Sequence, residues 1–448
     1  MSGQMTLFTL PETSVNENPS KNNHGKPRLN CAARNQIELV PKSLDEILAK
    51  DHVARNVWRF VQGLDLSTAL GQILSVENSA GRPATDPKIL LALWLFATLK
   101  GISSARLIEE YCGEHDAFKW ICGGVKVNYH TISDFRSSQG KLLDELLVQS
   151  VAILAQKNVI SLEAVSQDGI RVRASAGSSS FRREQTLQSN LELAQMLVAD
   201  LQEEAQRNPG ACKTRVEAAQ LRAAQETAKN IEDALAELEQ MNKNKVKAAR
   251  KAQKHVKEEN LLKTRASTTD PEARVIKMAC GGFRPAYNVQ FATTNLGKAI
   301  IAVAVTNSGT DQLQTFPMLK QVEEKYGQIP EKWLQDGGYN NEEELVKVGR
   351  KYKTCTIYMP VKETVRNRGN LYSRFSTDDV ITGDFRERMG TEEAKEIYKE
   401  RAATAEHVNA QARNRGLQQF LVRGLEKVRA VSLLYAVTQN MMVLMNSW

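Results

Sequence analysis

At 448 residues, with 42% hydrophobic and 25% charged side chains, the chain has the composition of a soluble globular protein and is too long for one ordinary core. A formal charge of +8 and a pI of about 9.0 are enough to suggest a polyanionic partner such as nucleic acid, although many basic proteins bind none. Six scattered cysteines without a CxxC pair exclude a zinc ribbon or disulfide framework and suit a reducing cytoplasm, and the longest apolar run, "ILLALWLFATL" at 89–99, is too short to span a bilayer. The opening "MSGQMTLFTLPETS" lacks the basic start and apolar segment of a secretory signal, so a cytoplasmic protein with no membrane partner is expected.

Residues 1–38, rich in Asn, Pro and Lys, read as a flexible tail. Residues 39–158 read as an all-α domain of short, closely linked helices. In "TDPKILLALWLFATLKG" Asp86 is the N-cap, Pro87 the first helical residue and Gly101 stands past the end. A second helix starts at Ser103, Thr131 can cap a third, and a long apolar-periodic helix fills 141–158. Short helices with basic and polar tips are the usual setting of a helix-turn-helix; Arg106, Lys126, His130 and Arg136 are its candidate DNA contacts, with a structural helical bundle as the alternative.

"LEAVSQDGIRVRASA" then alternates as a strand does. Residues 182–265 turn strongly helical: Leu187, Leu191, Ala194, Val198 and Leu201, then Ala228, Ile231, Leu235 and Leu238, keep coiled-coil spacing, and "NPG" at 208–210 breaks the run. This predicts a helical hairpin or small coiled coil inserted into another domain, its second arm ending in the basic "KNKVKAARKAQKHVK". Two strands follow, "RPAYNVQFATT" and "KAIIAVAVTN"; then a helix with Asp311 near its start, the short strand "EKWLQD", the helix "NEEELVKVGRK" and the strand "KTCTIYMPV". A polar loop of some 30 residues leads to a long helix at 391–415 and a final apolar helix.

Without the insertion the order is β-β-β-α-β-α-β-α, that of a ribonuclease-H-like mixed sheet covering 159–181 and 266–448. There the first and fourth strands are neighbours, which would bring Asp168 of "SQDGIRV" beside Asp336 of "LQDGGYN", although Asp-Gly is also a common hairpin turn. A third acid is expected from the last helix of that domain. Glu406 borders its apolar stripe (Ile397, Ala402, Ala405, Val408, Ala412) and shares a face with Asn409 and Arg413. Such a trio suits two divalent ions in phosphodiester chemistry.

"SQDGIRVRASAG", "GFRPAYNVQFATT", "LQDGGYN" and "YKERAATAEHVNAQARNRGLQQFLVRGLEKV" together resemble the bacterial DDE transposases of insertion sequences, nearest to insertion-sequence family 1182, over residues 40–440. The resemblance implies that Asp168, Asp336 and Glu406 bind Mg²⁺, or Mn²⁺ in its place. They would cut at the terminal inverted repeats of the element and join the freed 3′-hydroxyl to target DNA, with the protein as a homodimer on DNA. It also implies DNA contacts by Tyr398, Arg401 and Arg413, the last standing where relatives carry lysine; Asn409, Arg171 and Arg284 complete the candidates. The cysteine-rich stretch of relatives is absent from the preceding loop. A nuclease of the same fold that cuts without joining, and a DNA-binding derivative without activity, are the alternatives.

Overall fold

The first Asp-Gly does not turn the chain: it lies inside an unbroken strand, β1 (Ala164–Arg173). In this computed structural model the described residues are 41–76, 83–207, 215–251, 253, 257–364 and 368–447; the expected tail at 1–38 and the break at 208–210 lie outside them. After β1 come the short β2 (Phe181–Arg182), β3 (Ala266–Ser267) and β4 (Arg274–Lys277), the long β5 (Phe283–Thr294), β6 (Ile300–Thr306), β7 (Lys332–Leu334) and β8 (Thr356–Tyr358). The main sheet runs β4-β5-β1-β7-β8, with β6 also on β5. Pairs to β5 are antiparallel, whereas β1–β7 and β7–β8 are parallel, so the sheet is mixed. Ten consecutive residues of β5 are buried, as expected of a strand covered on both faces.

Among the described residues seven α-helices precede the sheet: α1 (Val53–Gln62), α2 (Ser67–Leu70), α3 (Pro87–Leu99), α4 (Ala105–Glu114), α5 (Asp116–Cys122), α6 (Tyr129–Ser138) and α7 (Gly140–Gln156). Asp86 caps α3 by accepting from the Lys88 N–H at 2.8 Å, and eleven of its thirteen residues are buried. Two caps differ from the sequence reading by a few residues. Ser104, rather than Ser103, caps α4, and Asn128 caps α6 by accepting from Thr131 N–H at 2.9 Å. Thr131 therefore sits in the first turn rather than before it.

Between β2 and β3 rise α8 (Glu184–Arg207) and α9 (Arg215–Lys251), followed by the short α10 (Glu258–Leu262). Leu187, Ile231, Ala234, Leu238 and Ala266 make a small core of their own, with Leu191, Ala194 and Leu235 packed on it. The spacing of Leu187, Leu191, Ala194, Ile231, Leu235 and Leu238 was visible in the sequence; the places of Ala234 and Ala266 and the two-strand clasp β2–β3 at the base were not.

The remaining helices are α11 (Thr315–Tyr326), α12 (Glu342–Lys351), α13 (Val380–Met389), α14 (Glu392–Arg401), α15 (His407–Asn414) and α16 (Leu425–Met445). Two expectations are corrected here. The polar loop contains α13, capped by Asp379, and the helix expected over 391–415 is interrupted at Ala402–Glu406 by a wide π turn. Helix α16 has mean hydropathy 1.3 and is long enough to cross a membrane, but 78% of that stretch is buried inside the protein, as in a core helix. It packs on α7, α6, α3 and β6. Buried Asn440 fastens this junction: it accepts from Ile300 N–H at 2.8 Å and donates to Ile300 O and Ser150 Oγ, both at 2.9 Å. One apolar core thus continues across residue 158, from Leu48 to Leu444.

Candidate active site

Three separate pieces of chain converge where β7 ends. The β1–β7 ladder stops at Ser166 opposite Leu334, so Asp168 and Asp336 each stand two residues beyond the last paired position. Asp336 then heads the 3-10 turn Gly337–Tyr339 and accepts from Gly338 N–H at 2.8 Å. It is both a turn former and a member of the cluster. Over the same edge lies the π turn Ala402–Glu406, which packs against β1 and β5. A π turn adds a residue to the helical repeat and is frequent at functional sites.

A single guanidinium joins the pieces. Arg401 lies 3.2 Å from Asp168 Oδ2, 4.0 Å from Asp336 Oδ2 and 3.9 Å from Glu406 Oε1. The Arg401 and Asp168 side chains are only 12% and 15% exposed, against 39% for Asp336 and 68% for Glu406, so the pair with Asp168 dominates. Buried Asn409 donates to Asp168 Oδ2 at 3.1 Å, and Gly169 N–H to Oδ1 at 2.9 Å. Burial pushes the Asp168 carboxyl up to about 6; Arg401 opposes the rise and Asp336 and Asp311 add to it. Burial likewise holds the Tyr398 hydroxyl, beside Arg401, above its usual range.

The donor set suits a hard divalent cation: carboxylate oxygens only, without thiolate or imidazole. Arg401 is the stand-in cation on which those oxygens converge, and its buried Nε has no hydrogen-bond partner. Among the described residues no group of His, Cys, Asp or Glu is already closed to ion-holding separation. The carboxylates would have to draw in from the guanidinium to the roughly 2.0–2.1 Å that Mg²⁺ requires.

A fourth carboxylate was passed over in the sequence. Asp311 precedes α11 by four residues, too far to cap it, and that misfit was the available signal. Its Oδ1 accepts from Asn288 Nδ2 and Gln290 Nε2, both at 2.7 Å, while Oδ2 faces Arg171 at 3.8 Å. A Cβ at Gly169 would meet Asp311 Oδ1 and Gln290 Nε2 at 2.5 Å, so a side chain after Asp168 would have to displace those hydrogen-bonded groups.

The other candidates are dispersed. Arg171 is spent on Asp311 and on the Lys277 and Gly309 carbonyls. Arg284 is exposed on β5, seven residues from Phe291, the partner of Asp168, or about 23 Å along the strand. Arg413 is exposed on α15. Arg106, Lys126 and His130 are exposed; Arg106 lies 5.0 Å from the Tyr129 ring, and the His130 ring is tilted against that ring at 4.0 Å. Arg136 differs: it is buried 4.3 Å over the Trp94 ring and donates to Ser103 O at 2.6 Å, so its charge is not offered to a ligand.

Fold and site therefore define a mixed α/β protein with a carboxylate cluster suited to phosphoryl chemistry. Residues 42–138 match a family described as a transposase domain (DUF772), and residues 346–445 match a transposase DDE domain. The two matches support assignment to the DDE transposases of insertion sequences. No curated protein and no solved structure matches the chain. The second match includes α14, the π turn and α15, and the first includes Arg106 of α4, Lys126, and His130 of α6.

Proposed function

We propose that this transposase binds the terminal inverted repeats of its element, cleaves the ends by metal-dependent attack on the phosphodiester and joins the 3′-hydroxyl to target DNA. The observation that carries the reading is the convergence of Asp168, Asp336 and Glu406 on one cation within 4.0 Å, from segments as much as 238 residues apart (406 minus 168). The strand order supports a ribonuclease-H-like core: an antiparallel run β6-β5-β1 continued in parallel by β7 and β8. Helices α1–α7 would provide the DNA-binding region through Arg106, Lys126 and His130. The protein would act in the bacterial cytoplasm as a homodimer on DNA.

Asp168, Asp336 and Glu406 would hold Mg²⁺, which when bound supplies activation of the attacking oxygen and neutralises charge at the phosphate. The protein's own groups have separate tasks. Asn409 and Gly169 N–H orient the Asp168 carboxylate, and at pH 8 that group, with its pKa about 6, is ionised and able to ligate. Arg401, relieved of its carboxylates by a bound cation, would be available to a DNA phosphate.

The test uses Asp168→Asn, Asp336→Asn and Glu406→Gln in Mg²⁺ with a duplex carrying a terminal repeat and a labelled target. Each variant should fold and bind the repeat but neither cut nor join, because shape is kept and the ligating charge removed. Near-normal cleavage by one variant would remove that residue from the site. Cutting without joining by the wild type would make the protein a nuclease; repeat binding without chemistry would make it a DNA-binding derivative.

A further inference from the structure

The two Asp-Gly segments share one more residue. Glutamine precedes each aspartate, Gln167 in "SQDG" and Gln335 in "LQDG". Neighbours on a strand point to opposite faces, so Gln167 leaves β1 on the side away from Asp168. There Gln335 Nε2 donates to Gln167 Oε1 at 2.8 Å, and Trp333 Nε1 donates to the same oxygen at 3.2 Å. Both glutamines are fully buried.

This bond lies where the backbone ladder has ended. With β1 and β7 paired only as far as Ser166 and Leu334, no main-chain hydrogen bond of that ladder fixes the spacing of Asp168 and Asp336. The Gln167–Gln335 bond carries the pairing one residue farther, to the residue next to each aspartate. Its own geometry is fixed in turn. Gln335 Nε2 also donates to Thr315 Oγ1 at 2.9 Å, and Gln167 Nε2 donates to Gln314 O and Gln290 Oε1, both at 3.1 Å. Gln290 Oε1 accepts from the Tyr339 hydroxyl, which burial keeps protonated, and Tyr339 closes the turn that Asp336 heads. A fully satisfied buried amide network is rigid, while a partly satisfied one is costly.

We propose that the Gln167–Gln335 clasp is the positioning device that sets the separation of the Asp168 and Asp336 carboxylates. The inference rests on the proposed metal-dependent reaction and adds to it the residues that hold the two aspartates in register. A clasp that only stabilised the core would affect melting; one that positions the ligands also governs how well they hold a cation, and loss of a group supporting metal ligands typically weakens affinity or activity about 10–100-fold.

Gln335→Met separates these roles, because methionine keeps length and volume but has no amide. Mn²⁺ binding to the full-length protein without DNA is followed by electron paramagnetic resonance, alongside melting, repeat binding and cleavage as a function of Mg²⁺. The expected result is a folded protein with unchanged repeat binding, about 10–100-fold weaker Mn²⁺ affinity and cleavage recovered at high Mg²⁺. The double variant with Gln167→Met should lose no more Mn²⁺ affinity than the single, since the two residues act as one unit. Should Gln335→Met not fold, Thr315→Val withdraws only the hydroxyl that holds the same amide, and a severalfold loss of Mn²⁺ affinity is expected; unchanged affinity there overturns the proposal. Wild-type and Gln335→Met proteins that bind Mn²⁺ and cleave alike also overturn it, leaving the functional reading intact. A wild type that binds no Mn²⁺ and cleaves nothing overturns the functional reading, and the clasp with it.

Discussion

Replacing Arg401 with methionine should destabilise the protein in a pH-dependent way that a divalent cation reverses. Removing one partner of a buried ion pair ordinarily costs about 3–5 kcal/mol, because the other charge stays buried. Here Asp168 sets a lower ceiling. Its carboxyl already titrates at about 6, burial raising it more than Arg401 lowers it. At pH 8 it can therefore take up a proton for about 3 kcal/mol, two pKa units at 1.36 each, and more cheaply once Arg401 is gone. The exposed Asp336 and Glu406 pairs add little. The sign follows from the raised native value. Between its ordinary 3.8 and about 6 the native state holds the proton more tightly than the unfolded state, so this group's contribution to stability falls as pH rises through that window. The Arg401 pair offsets that loss only where Asp168 is ionised, above about 6. Denaturant titration should thus find Arg401→Met up to about 3 kcal/mol less stable than wild type at pH 8 and close to it at pH 5. At pH 8, Mg²⁺ should narrow the gap by replacing the lost cation. An equal deficit at both pH values, or one that Mg²⁺ leaves untouched, would show that Arg401 is not the counter-cation of these carboxylates.

Gly169→Ala should cost about 1–3 kcal/mol by overpacking and reduce cleavage, since the new methyl would displace Asp311 and Gln290; melting and cleavage assays read both. Arg136 and Arg106 should part company despite their similar place in the sequence. Arg136→Met should lower the melting temperature, because it removes a buried cation seated over Trp94 and bonded to Ser103 O. Exposed Arg106→Ala should leave stability within about 0.5 kcal/mol and instead weaken repeat binding and flatten its salt dependence.

The sequence was most informative where local rules and tertiary demands agree. The Asp86-Pro87 start of α3, the alternation of β1 and the heptad-like stripe of α8 and α9 each follow from one periodicity or one cap, and each is in place. Helix α13 was hidden because "VITGDFRERM" carries no clear apolar stripe: Thr382, Gly383, Phe385, Arg386 and Met389 are all buried, so polar and apolar positions face the core together. The same masking hid Arg136, whose charge reads as a surface residue although its guanidinium is inside. Charge in a sequence predicts exposure only until an aromatic face and a carbonyl compensate the burial.

The candidate site was legible as a set of acids and illegible as a geometry, and the π turn explains why. Projected on a regular helix, Arg401 and Glu406 are five residues apart and point about 140° away from each other, so no helical wheel pairs them. The extra residue of the turn Ala402–Glu406 brings them into register, and one guanidinium then reaches Glu406 as well as both aspartates. A wide turn leaves no strong mark in composition: "AATAE" is a good α-helical sequence without a breaker residue, and the turn it forms packs on β1 and β5. The glutamines are the opposite case. Their repetition before Asp168 and Asp336 was in plain view, but its meaning depends on two strands being neighbours and on their ladder stopping one residue too early. Residue types name the chemistry a site can perform; where the ladder ends and where the helix widens decide which of those residues can perform it together.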